Sequence, residues 1–129
     1  MQKGVPPLTH RRQALGRDGE DLAARRLTAL GYQVLERNYR CPLGEIDLIA
    51  QEADCLVFVE IKTRRGGTVA EAKAAVDARK QRHITRVAQH YMKARGCTDT
   101  RARFDVVAIG LDGSRTRMEV IRDAFEAAP

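Results

Sequence analysis

The sequence predicts a small α/β domain, a mixed β-sheet flanked by helices, with the element order α-β-β-β-α-β-β. Three observations predict it. The chain has 129 residues, 43% hydrophobic and 31% charged, which suits one domain around one core. Apolar residues recur at helical spacing in two stretches, 18–30 and 76–96. Between and after these stretches lie five short apolar or alternating runs bounded by turn residues, the pattern of strands.

Residues 1–15, with Pro6-Pro7 and several bases, read as a loose basic arm preceding a single domain over 16–125. Residues 18–30 form an amphipathic helix on the spacing of Leu22, Ala23, Leu27 and Leu30, with Asp18 to cap its start and Gly31 to close it. Strands follow at 33–40, 45–50 and 56–62, separated by Cys41-Pro-Leu-Gly44 and a short polar turn over 51–55. Residues 63–67 read as a loop. Thr68 and Glu71 have capping-box spacing, so helical structure begins near Val69. The main second helix carries Val76, Lys80, Ile84, Val87, Ala88 and Tyr91 on its apolar stripe and ends at Gly96. Residues 103–109 and 117–121 are the last strands, around the turn at Asp112-Gly113, and residues 126–129 read as a frayed end.

Several classes fall away. No apolar run reaches the ~18–20 residues needed to cross a bilayer, and the N-terminus has no apolar signal segment, so a cytoplasmic protein without membrane association is expected. Cys41, Cys55 and Cys97 are odd in number and scattered, which indicates reduced thiols rather than disulfides or a zinc site. Aromatics are 5% of the chain, too few for a base-stacking platform. The net charge of +6 is unevenly placed: residues 1–17 carry +4 and residues 62–103 carry +9, leaving −7 elsewhere. A basic half beside an acidic half suits a nucleic-acid enzyme with a carboxylate metal site, although solvated basic helices are the commoner reason for such a pattern.

The middle hairpin concentrates the chemistry. A symmetric turn between Ala53 and Asp54 sets Asp47 opposite Glu60 and Glu45 opposite Lys62. Alternation then puts Asp47, Glu60 and Lys62 on one face, and Ile46, Leu48, Val57, Val59 and Ile61 on the other. Carboxylates opposed at ~5 Å destabilise a sheet, so the pair needs a reason. A divalent cation is one reason, and Lys62 as neutralising partner is the structural alternative. Mg²⁺, or Mn²⁺ in its place, takes hard oxygen ligands that Asp47, Glu60 and the backbone carbonyl of Ile61 can supply. Lys62 can orient a water and stabilise charge on a phosphate, and Glu20 on the first helix can reach the same site.

Gly19-Glu20, Gly31-Tyr32, Arg37-Asn38, Gly44-Glu45-Ile46-Asp47-Leu48-Ile49, Phe58-Val59-Glu60-Ile61-Lys62, Arg64, Lys80, Ala88, Tyr91 and Arg103-Phe104-Asp105 resemble the YraN-type family of small bacterial proteins. The resemblance spans about residues 16–123. It implies a restriction-endonuclease-like core of the PD-(D/E)XK superfamily, similar to archaeal Holliday-junction resolvases. It assigns the acidic metal role to Asp47 and Glu60, the lysine role to Lys62 and the helix-glutamate role to Glu20. Ile46 stands where the superfamily pattern has Pro.

Arg64, Arg65, Arg79, Lys80, Arg82 and Arg86 are the candidate phosphate contacts, although each alone reads as a solvated base. Lys80 differs because it lies on the apolar stripe and needs a polar partner or an open cleft. His83 and His90 read as boundary residues, Tyr91 as packing against the sheet, and Asp105 as a structural hydrogen-bonding group partnered by Arg37 or Arg40. The expectation is a Mg²⁺-dependent DNA endonuclease, acting on branched DNA as a homodimer if two opposed cuts are made. The alternative is a catalytically inactive nucleic-acid-binding module of the same fold.

Overall fold

The computed structural model describes residues 8–129, with side chains from Gly19 onward. Helix α1 (Leu8–Ala29) precedes strands β1 (Gln33–Cys41), β2 (Gly44–Glu52) and β3 (Cys55–Arg65). Helices α2 (Val69–Ala74) and α3 (Ala78–Ala94) lead to β4 (Ala102–Asp112) and β5 (Arg115–Phe125). The strands form one sheet in the order β1-β2-β3-β4-β5. β3 and β4 are parallel, joined by the helical crossover, and every other neighbour is antiparallel. This is the mixed α/β arrangement of a nuclease-like core, with the short α2 added before the main helix. Among the described residues no helix is long and apolar enough to cross a membrane.

The sheet separates two apolar layers. Ala23 and Leu27 of α1 pack with Leu48, Ala50, Val57, Val59, Val107 and Ile109 on one side. Ile84, Val87, Ala88 and Tyr91 of α3 pack with Ile49, Phe58, Phe104 and Val106 on the other. The side chain of Asp77 accepts a hydrogen bond from Lys80 N at 2.9 Å, so it caps α3 and pins its first turn over the sheet. Thr68 caps α2 as its spacing with Glu71 predicts.

Several boundaries differ from the sequence reading. α1 begins ten residues before Asp18, taking in part of the segment read as an arm; residues 1–7 lie outside the described residues. Residues 11–15 are good helix formers, and composition alone hid that preference. Leu30 lies past the helix end and is 43% exposed, so it does not belong to the core stripe. Thr63, Arg64 and Arg65 extend β3 rather than forming a loop, because parallel pairing with β4 carries on to Arg65↔Leu111. The C-terminal end docks: Ala128 N donates to Thr85 Oγ1 at 3.1 Å on α3.

Candidate metal and phosphate site

The β2–β3 ladder has the predicted register, from Glu52↔Cys55 to Leu48↔Val59. It stops one rung short of Asp47 and Glu60. β3 runs on beside β4 alone, and the gap on its other side is filled by a side chain: Asp47 Oδ2 accepts from Ile61 N at 2.8 Å. The N–H and C=O of one strand residue point to the same side, so the Ile61 carbonyl opens toward this gap as well.

The opening has a local cause. Asn38 on β1 adopts a left-handed φ of 54° between the pairs Arg37↔Leu48 and Tyr39↔Ile46, at the level of Asp47. Alternation breaks there. Leu48 lies in the α1 layer while Ile46 lies in the α3 layer, not with Leu48, Val57, Val59 and Ile61 as strict alternation predicts. Asn tolerates this conformation better than most residues. The break frees Asp47 from both faces and lets its carboxylate lie between the strands.

Acidic groups reach this point from both layers. From β3, Glu60 is 5% exposed, and its charge acts on Asp47. Burial first, and then the charge of Glu60, push the Asp47 carboxyl up to about 7, against the opposing hydrogen bond from Ile61. From α1, Glu20 is raised above the usual carboxylate range, chiefly by burial. Asn38 hydrogen-bonds it and opposes that rise, while Asp47 and Glu45 add to it. Gly19 makes the approach of α1 feasible: a Cβ there would sit 2.7 Å from Thr63 Oγ1 on β3.

The cation beside the pair comes from α3. Lys80 Nζ lies 3.4 Å from Glu60 Oε2, so Lys80 turns inward and away from the exposed face that carries Arg79, Arg82 and Arg86. Lys62, two residues after Glu60 on a regular stretch of β3, shares its face and is half-buried. Glu45 does not pair with Lys62: it lies opposite Arg40 in the β1–β2 hairpin, and Arg40 Nε meets its carboxylate at 3.0 Å. Arg64 and Arg65 are exposed at the end of β3.

The donors present suit a hard divalent cation: two carboxylates and one backbone carbonyl, with Glu20 nearby. Among the described residues no three Asp, Glu, His or Cys side chains converge into a cage.

Comparison with known proteins places the chain. The model of the family described as "Uncharacterised protein family UPF0102" matches residues 19–109. The chain belongs to the UPF0102 family. A UPF0102 protein of Rhodococcus opacus is 51% identical over 116 residues, covering 87% of this chain and 96% of the relative. One from Rhodococcus jostii is 50% identical over 113 residues, at 87% and 96% coverage. One from Syntrophus aciditrophicus is 44% identical over 113 residues, at 88% and 89%. The UPF0102 match begins at Gly19, the close-approach glycine, and includes Glu20, Asn38, Asp47, Glu60, Lys62 and Lys80.

A second polar cluster lies at the other end of this UPF0102 sheet. Asp105 is fully buried and accepts from Tyr32 Oη at 2.7 Å, Arg103 Nε at 3.0 Å and Asp123 N at 2.9 Å. Arg103 also reaches Glu52 at 2.7 Å, and Arg122 grips the same carboxylate. Asp105 is thus a structural group, partnered by Arg103 and Tyr32 rather than by Arg37 or Arg40. Arg37 instead pairs with Asp21 on α1 at 2.6 Å. His90 Nδ1 lies 3.1 Å from Tyr39 Oη, and Tyr91 packs edge-on against Tyr39 and Phe58. The left-handed Asn38 is the feature of the candidate site that the sequence reading missed, although asparagine's tolerance of that backbone is a signal for it. Lys80, singled out for its place on the apolar stripe, has the polar partner it needed in Glu60.

Proposed function

We propose that this UPF0102 protein is a Mg²⁺- or Mn²⁺-dependent DNA endonuclease that hydrolyses phosphodiester bonds by attack of water. The observation that carries the reading is the Asp47/Glu60 pair, half-buried and buried respectively, at the point where β2 and β3 part, with the Asp47 carboxyl pushed up to about 7 by its surroundings. A fold has little reason to keep two carboxylates there unless a cation completes them. Asp47, Glu60 and the Ile61 carbonyl would hold the ion, which would supply positive charge to the scissile phosphate.

The chain's own residues do the rest. Lys62 donates to a non-bridging phosphate oxygen and orients the water. Glu20, approaching from α1, accepts a hydrogen bond from water on that side. Arg64 and Arg65 at the end of β3, with Arg79, Arg82 and Arg86 along α3, bind the phosphates flanking the scissile bond. Branched DNA requires two opposed cuts, and a homodimer would provide them.

One observation favours the second reading, a nucleic-acid-binding module without catalysis. Lys80 already neutralises part of the pair, so the site can persist as an ion pair between half-exposed Lys80 and buried Glu60. The two readings separate in a cleavage assay on branched, duplex and single-stranded DNA with Mg²⁺, Mn²⁺ or chelator. The endonuclease reading predicts cutting that requires the metal and disappears in Lys62→Ala. Binding without cutting under every condition would leave the module.

A further inference from the structure

We propose that Lys80 is the resident counter-cation of the acidic pair, held against Glu60 while no divalent ion is bound and displaced when one binds. The identity of that ion rests on the endonuclease reading; the competition rests on the geometry of α3 and β3.

Glu60 is 5% exposed, and among the described residues its ion-pair partner is Lys80, at 3.4 Å. The charge of the same ammonium acts on Asp47, whose hydrogen-bond donor is the neutral N–H of Ile61. One positive charge therefore faces two carboxylates, and the site remains short of cation. Lys62 does not make up the difference, since it has no ion pair with either acid among the described residues.

The partners differ in freedom. The Glu60 side chain is 7% exposed, rooted mid-strand between the two layers, whereas Lys80 is 37% exposed on a flexible stem. Its backbone is fixed, because Asp77 caps α3 through Lys80 N itself. The ammonium can swing away without moving the helix, toward the open face beside Arg79 and Arg82, while Glu60 cannot follow. A divalent ion brings two charges and ordered oxygen coordination to the place where the ammonium brings one. Both cannot contact Glu60 together without direct repulsion. Lys80 thus makes the metal-free fold tolerable and lowers the affinity of the metal site.

The test uses the full chain and Mn²⁺ as probe. Binding is read by electron paramagnetic resonance or calorimetry, and thermal unfolding is followed in chelator and in saturating Mn²⁺. Lys80→Gln should bind Mn²⁺ about tenfold more tightly than wild type, a coupling of ordinary size between two sites. It should melt at lower temperature in chelator and regain most of that loss in Mn²⁺. In a Glu60→Gln background the same substitution should change Mn²⁺ affinity less than about twofold. Unchanged or weaker Mn²⁺ binding by Lys80→Gln overturns the proposal, as does absence of Mn²⁺ binding in both proteins. If Lys80→Gln does not fold, Lys80→Arg decides. Its guanidinium grips a carboxylate more firmly, so Mn²⁺ should bind several-fold more weakly, and equal or tighter binding overturns the proposal. No arm reads cleavage, so tight Mn²⁺ binding without DNA cutting counts against the endonuclease reading alone.

Discussion

Replacing Asp47 by Asn should stabilise the protein, and only above a definable pH. The carboxyl goes from an ordinary 3.8 to about 7 on folding, because burial and Glu60 both disfavour its charge. The folded chain therefore holds this proton more tightly than the unfolded chain. Its contribution to stability is complete below about pH 4, is lost as pH rises through 7, and stays lost above that. At 1.36 kcal/mol for each pH unit separating the two values, the ceiling is about 4 kcal/mol. Water reaching a half-buried group lowers the expected figure to about 2–3 kcal/mol. The Asp47→Asn side chain keeps an oxygen for the Ile61 N–H, which donates to Asp47 Oδ2 at 2.8 Å in the wild type, and it cannot ionise. Urea unfolding in chelator should give nearly equal stabilities at pH 5 and an advantage of about 2–3 kcal/mol for Asp47→Asn at pH 8. The thermal midpoint at pH 8 should rise by on the order of 10 °C. Mg²⁺ or Mn²⁺ should raise the wild type toward the variant and leave the variant unmoved. A pH-independent difference, or a variant less stable at pH 8, would refute the reasoning.

Other expectations follow from single contacts. Arg103→Ala removes the charged donor from fully buried Asp105 and should cost about 3–5 kcal/mol by urea unfolding. Gly19→Ala would stabilise an ordinary helix interior by about 1 kcal/mol, but here the new Cβ meets Thr63 Oγ1 and a loss of about 1–3 kcal/mol is expected. Thr63→Ala should recover most of that loss in the double variant. Replacing Arg79, Arg82 and Arg86 together by Ala should lower the salt dependence of DNA binding by a slope of about 3, with stability changed by less than about 0.5 kcal/mol per site.

Much of this was legible in the sequence, for identifiable reasons. The β2–β3 register followed from the short turn at Ala53-Asp54, because antiparallel pairing about a turn leaves little choice. The acidic pair followed from that register. What hid the site's true shape was a backbone irregularity: Asn38 in left-handed conformation moves Ile46 to the other layer, and strict alternation cannot foresee it. The parallel partner of β3 was equally hidden, since pairing with β4 depends on a crossover distant in sequence. Without that partner residues 63–65 look like a loop, and with it the segment is strand. Lys80 was marked as anomalous by its place on the apolar stripe, but only the packing of α3 shows that its partner is Glu60. Asp105 reads as structural from the sequence, but its partners differ: Arg103 lies two residues away on the same strand, where alternation gives both one face, while Tyr32 is 73 residues away and only the fold brings it near.

The central claim is that the Asp47/Glu60 pair holds a metal for phosphodiester hydrolysis. The most direct measurement follows binding and cleavage of the same labelled branched DNA by wild type and Asp47→Asn, with Mg²⁺ and with chelator. The account predicts binding by both proteins and cutting by the wild type in Mg²⁺ alone. Cutting by Asp47→Asn at the wild-type rate, or wild-type cutting that persists in chelator, would contradict it.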